Sequence, residues 1–306
     1  MKYFFKAISL FVFVAFSSAC FSQTKYCPRK NVLIQYYQSK KFQEALDYID
    51  TVLIKCPDQK SDPHFLNICA TINYVVYKNL EKDPNSSARE RAKDYAIQAI
   101  NNDSENLYKE KMLSLLNTLA ISYINDAYMI FQKMSVNKIN NASNYFDNFK
   151  TLKSIVDNSY DFSEPSFQYF QGTALLYKVL YESDKAKSSM LDSTILYFNK
   201  ALSINPNDYV VNKELGILYH NLGVDIILEE LDIDADLEMV ILMQEQAVNY
   251  FTQSLPYLSR VYEMQPKNKD IISGLAAVYY SLNDMELHVK YMDLLEGLES
   301  ESSGGK

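Results

Sequence analysis

Between Asp192 and Ile204 the small and apolar residues gather on one face of a helix. Thr194, Phe198, Ala201 and Pro206 are spaced 4, 3 and 5 apart. The same spacing recurs in Ala45, Ile49, Val52 and Pro57, and in Ser254, Leu258, Val261 and Pro266. Each run predicts an amphipathic helix stopped by a proline, which lacks the N–H needed to continue the hydrogen-bond ladder. After Pro206 and Pro266, polar residues lead to Asp208 and Asp270, each predicted to cap the following helix. A partner helix precedes each run. Leu215-Gly216-Ile217-Leu218-Tyr219 and Leu275-Ala276-Ala277-Val278-Tyr279 share one pattern, an apolar residue followed by a small one and then Tyr three further on. Val32 to Tyr36 matches with Leu33 at the small position, and Leu119-Ala120 with Tyr123 and Thr173-Ala174 with Tyr177 complete the set.

These residues resemble the tetratricopeptide repeat (TPR), a 34-residue helix pair with a small residue and a Tyr on its first helix and a small-aromatic-small series before a proline on its second. In the first repeat Tyr36 to Ala45 is nine residues and Ala45 to Pro57 is twelve, as in the family. In the last, Tyr279 to His288 is again nine, followed by Met292 and Leu295. Six repeats begin near Tyr26, Asp62, Glu105, Pro165, Asn207 and Lys267. The resemblance implies an all-α fold, a right-handed α-solenoid of about six TPR-like helix pairs. Four repeats depart from the family spacing between their two helices. Tyr77 to Ala92 is fifteen residues, Tyr123 to Ala142 nineteen, Tyr177 to Thr194 seventeen and Tyr219 to Ser254 thirty-five. These insertions are expected along one rim of the solenoid, and the helix-like run Val240 to Phe251 predicts a lengthened helix there.

The N-terminus reads as an export signal over residues 1–22, with Lys2 and Lys6 ahead of the apolar run Ala7 to Phe16 and small residues at Ser17, Ser18 and Ala19. Two products fit. Ser17-Ser18-Ala19-Cys20 resembles a lipobox, with Ser17 where that motif takes an apolar residue, so Cys20 is a candidate for lipidation. A soluble product starting at Gln23 fits as well. The repeat domain then spans 23–298 and a polar, flexible tail 299–306. No second apolar stretch reaches the roughly 18 residues a membrane helix needs, so membrane association would run only through Cys20. Seven glycines and eight prolines, with no Gly- or Ser-rich linker, suit helices joined by short turns. The net charge of −8 becomes −10 once Lys2 and Lys6 are removed, which disfavours nucleic acid as a partner. The Asn-, Lys- and Tyr-rich usage resembles that of exported Bacteroidota proteins.

Chemistry-bearing motifs are sparse. Asp232-Ile233-Asp234-Ala235-Asp236 resembles the start of a calcium loop, but Leu237 and Met243 stand where that loop needs Gly and a bidentate Glu. His64, His220 and His288 lack the spacing of a metal site, and no nucleophile elbow, phosphate-binding glycine loop or zinc-protease motif occurs. No catalytic residue, metal or cofactor is assigned. Cys27 before the first helix and Cys56 at the end of the second meet if the pair is antiparallel. A disulfide there would contribute on the order of 3 to 4.7 kcal/mol, and Cys69 is expected in the core.

The TPR resemblance also implies that the first helices line a groove that takes a peptide or protein segment. It places Lys30, Ile34 and Tyr37 there, then Gln171, Leu175 and Lys178, then Lys213, Ile217, His220 and Asn221, then Ser273, Ala277 and Tyr280. Ile34 stands where TPR carboxylate clamps carry Asn, so that clamp is not expected. The implied role is a non-catalytic adaptor of the bacterial cell envelope, in the periplasm or at the outer membrane. The alternative is an outer-membrane-associated solute- or glycan-binding lipoprotein, against which stands the absence of Trp beside 25 Tyr and 16 Phe.

Overall fold

The computed structural model describes residues 31–186, 188–230 and 236–303. Cys20, Cys27, Lys30 and the acidic run from Asp232 to Ala235 lie outside them. Among the described residues are twelve α-helices and no strand. They come two at a time: α1 (Asn31–Gln38) with α2 (Phe42–Lys55), α3 (Pro63–Val76) with α4 (Ser87–Asn102), and α5 (Lys109–Gln132) with α6 (Ile139–Val156). Then follow α7 (Ser163–Ser183) with α8 (Ser188–Ile204), α9 (Tyr209–Asp225) with α10 (Leu237–Met264), and α11 (Lys269–Ser281) with α12 (Met285–Ser303). The fold is an all-α, solenoid-type succession of TPR-like pairs. It divides into two compact units, Met1–Leu115 and Leu116–Lys306, with the division inside α5.

In the first unit, α2 buries Ala45, Ile49 and Val52 completely, on the face that the spacing predicts. Its last N–H groups run out at Cys56, whose own N–H donates to Val52 O at 2.8 Å before Pro57 ends the ladder. Asp62 caps α3 by accepting from the N–H groups of His64 and Phe65, and Pro63 takes the first helical position, where its missing N–H costs nothing. Along α4 the buried apolar residues are Ala88, Ala92, Ala96 and Ala99, small enough for α3 to approach closely. The insertion between these helices is not a lengthened helix. A π-helical turn, Tyr77–Glu81, leads into a loop closed by Ser86, which caps α4 through Arg89 N–H at 3.0 Å. Arg89 is fully buried there, with its guanidinium 5.1 Å from the Tyr77 ring centroid and Nη1 donating to Pro84 O at 3.0 Å.

In the second unit α9 and α10 run antiparallel. Gly216 on α9 meets Leu258 on α10 while Gly223, two turns later, meets Phe251, so one helix climbs as the other descends. A methyl group at Gly216 would stand 2.7 Å from Leu258 Cγ, and Ser254 Oγ donates to Gly216 O at 2.7 Å. Backbone contact this close requires the residue without a Cβ. Gly172 on α7 is held the same way beneath the Phe131 ring of α5. Here the insertions do lengthen helices: α5 runs to Gln132, α7 to Ser183, and α10 takes up Leu237 onward for 28 residues. A π-helical turn, Ile226–Glu230, ends α9. Asp208 caps α9 as predicted. The cap of α11 is Asn268 rather than Asp270, because Asn268 Oδ1 accepts from both Asp270 and Ile271 N–H while Asp270 is already helical. Helix α12 extends to Ser303, past the Glu299 at which the sequence set the tail.

The second-helix triad is buried in five successive repeats. Ala45-Ile49-Val52, Ala92-Ala96-Ala99, Ala142-Phe146-Phe149, Thr194-Phe198-Ala201 and Ser254-Leu258-Val261 are all at most 2% exposed. Three residues after the first member of each triad stands a tyrosine: Tyr48, Tyr95, Tyr145, Tyr197 and Tyr257, with Tyr291 in the last repeat. It meets the repeat tyrosine of the first helix. Ring centroids are 5.8 Å apart for Tyr36 and Tyr48, 6.2 Å for Tyr123 and Tyr145, and 5.8 Å for Tyr177 and Tyr197. They are 5.8 Å apart for Tyr219 and Tyr257 and 5.5 Å for Tyr279 and Tyr291. The second repeat differs: Arg89 covers Tyr77, and Tyr95 accepts from Arg91 at 3.3 Å. Such pairs are worth about 0.5–1.5 kcal/mol beyond the area they bury.

Two substitutions test this packing in urea unfolding followed by circular dichroism. Phe198→Ala, which empties a fully buried triad position, is expected to cost about 3–5 kcal/mol. Gly216→Val should cost about 1–3 kcal/mol by overpacking, and a neutral result would show that α9 and α10 do not meet there.

Candidate ligand-binding faces of the first helices

The first helices bury one face against their second helices and leave the other for solvent or ligand. In the first unit this free face forms an apolar cavity of about 160 Å³ lined by Ile34 and Tyr37 of α1, Ile68, Thr71 and Ile72 of α3, and Lys111 of α5. Ile34 and Tyr37, both named from the sequence, remain exposed at 37% and 40%. Lys111 was not named. It enters because α5 brings its first turn beside α3, and burial lowers its pKa by stripping water from the ammonium. A cation beside exposed aliphatic and tyrosyl carbon can hold a carboxylate next to an apolar anchor.

The second unit carries a larger cavity, about 460 Å³, between α9, α11 and α12. It gathers His220, Ser273, Ala277 and Tyr280, four of the residues the repeat register assigns to the groove, with His288 and Met292 from α12. His288 Nδ1 lies 2.9 Å from Ala276 O. Only a protonated nitrogen satisfies that carbonyl, so in the neutral ring Nε2 carries the lone pair. This contact is the counterpart of Ser254 to Gly216 one repeat earlier, since both link the first triad position to the small residue of the partner helix. Tyr280 is 63% exposed and its ring centroid lies 5.2 Å from that of His288. His220 is half-buried with its ring centroid 5.6 Å from that of Phe251, and burial lowers its pKa, partly opposed by a hydrogen bond to Asn221.

The remaining groove candidates are brought elsewhere. Gln171 donates to Asp208 Oδ1 at 3.2 Å, and Lys178 is ion-paired with both Glu182 and Glu214. Both tie α7 to α9 rather than facing a cavity. Lys213 is half-buried outside the cavities described above. Asn221 lines a separate cavity of about 110 Å³ with Tyr181, Leu218 and the Lys185–Asp225 ion pair, whose groups are 2.9 Å apart.

Other sequence candidates also find places. His64 stacks on Tyr108 at 5.5 Å. Cys69 is buried, which pushes its thiol pKa up and keeps it protonated. Cys56 is disulfide-bonded, and Cys27, its proposed partner, lies outside the described residues. Among the described residues no group of three or more His, Cys, Asp or Glu side chains could hold a metal, and no helix is long and apolar enough to cross a membrane. The phenol of Tyr197 is pushed up to about 12 by burial and then by Tyr169 and Tyr177.

The lowered pKa of His220 has a stability consequence with a definite sign. An unfolded chain takes up a proton near the ordinary histidine pKa of about 6.5, whereas the folded chain resists it. Stability from this residue is therefore complete above that pH and is lost as pH falls through it. The melting temperature should drop between about pH 7 and pH 5, and His220→Gln should make that drop smaller. An equal drop in both proteins would assign the pH dependence to other groups.

No family model matches this chain, and no curated protein matches it. Among solved structures it is similar to PilW, a widely conserved type IV pilus biogenesis factor, at 15% identity over 88% of this chain and 90% of that one, with a TM-score of 0.31. It is also similar to the human IFIT1 dimer with PPP-AAAA, at 14% identity over 84% of this chain and 68% of that one, with a TM-score of 0.22. The TPR-like character of the fold rests on the chain's own helix pairs and on the buried register of their triads.

Proposed function

We propose that the chain is a non-catalytic scaffold of the bacterial cell envelope that binds a peptide or extended protein segment on the free faces of its first helices. The observation carrying this reading is the convergence of His220, Ser273, Ala277 and Tyr280 on one cavity. The repeat register selects these residues without regard to any cavity, and they come from two different helices. Tyr280 offers a rigid apolar body with a polar tip, and the histidines and serines beside it offer donors and acceptors for a backbone. In the first unit, Ile34, Tyr37 and Ile68 suit an apolar side chain and Lys111 suits a carboxylate. The export signal and the disulfide at Cys56 support an oxidising compartment outside the cytoplasm, with Cys20 as the candidate lipid anchor.

Affinity purification from the native envelope should recover a protein in stoichiometric amount. Once that protein is in hand, Tyr280→Ala with His220→Ala should weaken its binding about tenfold or more while the melting curve keeps its cooperativity, as expected when an aromatic anchor is removed. Recovery of no partner, together with glycan-dependent melting, would favour the solute-binding alternative. Non-reducing mass spectrometry should find Cys27 linked to Cys56, and a pure population with both thiols free would remove the pairing.

A further inference from the structure

In every pair before the last, the middle triad residue is sealed. Ile49, Ala96, Phe146, Phe198 and Leu258 are at most 2% exposed. In the second unit the reason is visible. Phe198 and Ala201 of α8 share a core with Val211 and Leu215 of α9, the first helix of the next repeat. Leu258 and Val261 of α10 do the same with Ile271 and Leu275 of α11. The corresponding residue of α12 is Met292, and it is 36% exposed. Beside it on the same helical stripe, Met285 and Val289 are 47% and 50% exposed. Among the described residues no helix follows α12, and its stripe keeps the apolar register of the interior second helices.

We propose that this face of α12 receives an amphipathic helix with basic flanks from another protein, in the place where α8 and α10 each receive the next first helix. The apolar stripe supplies the seat, and the charges around it choose the occupant. Glu286 and Asp293 flank the stripe and Glu296 ends it, against a single lysine, Lys290. A second copy laid along the same face would set carboxylates against carboxylates, whereas lysines or arginines flanking an apolar ridge complement them. Met292 also lines the cavity around His220 and Tyr280, whereas Met285 and Val289 do not, so substitutions at those two positions test the seat apart from the cavity.

A synthetic peptide of residues 266–284 tests this, because its α11 segment is the natural occupant of the equivalent seat on α10. In one version Asp270, Ser273 and Tyr280 are replaced by lysine, and in the other by glutamate. The full chain should bind the lysine peptide at least about tenfold more tightly than the glutamate peptide, with the preference shrinking as salt is raised. Met285→Glu combined with Val289→Glu should weaken the lysine peptide about tenfold or more. Both positions are surface-exposed, so the melting temperature of the variant should stay near that of the parent. Equal binding of the two peptides, or binding unaffected by the double substitution, would overturn the proposal. So would a concentration-dependent dimer in light scattering that the double substitution dissolves, because the occupant would then be a second copy.

Discussion

Five of the six second helices have to satisfy two neighbours with one narrow face. The triad residue that packs against the helix's own partner must be small, because backbones approach there, as Ser254 does at Gly216. The next two must be apolar and fully covered, because they form the seam to the following repeat. No single pair can meet this requirement alone, since its outward seam would remain wet. Stability is therefore shared between intrinsic helix pairing and nearest-neighbour interfaces. The insertions respect this constraint. They lie between the two helices of a repeat, beyond the sealed triads, where α5, α7 and α10 simply grow longer or a loop forms around Arg89.

The aromatic and polar groups at the margins of this seam fix its register. The tyrosine pairs brace each hairpin at the same height, and where the pairing fails in the second repeat a buried arginine takes over one ring. Between repeats the links are polar and directional. Lys178 reaches Glu214 and Gln171 reaches the α9 cap Asp208, while within the fifth pair Arg260 donates to Asn212 Oδ1 at 3.2 Å and Asn212 Nδ2 donates to Pro206 O at 3.0 Å. Half-buried links of this kind add modestly to stability, but they penalise a shift of one helix past another.

What remains free on the first helices is therefore a remainder. A polar residue in the groove register is available to a ligand only if the neighbouring first helix does not claim it. That rule separates Tyr280 and His220 from Gln171 and Lys178, although all four occupy equivalent faces. It also explains why the cavities around Ile34 and Tyr280 mix aliphatic carbon with polar side chains.

The sequence alone determined the helical pairs, their number, the buried triads and the capping by Asp208, because these depend on spacing along one helix and on residue-level backbone preference. It also carried the second tyrosine of every repeat in plain view, at a constant offset, although its meaning appears only when Tyr197 meets Tyr177 across the hairpin. Tertiary structure decided the rest. It decided whether an insertion becomes a longer helix or a loop, since that depends on what the added turns can pack against. It decided which groove residues stay free, since Glu214 and Lys178 are thirty-six positions apart and their pairing depends on how α7 lies on α9. Lys111 and His288 line these cavities for the same reason: a cavity is made by several helices at once, and no periodicity within one of them records it.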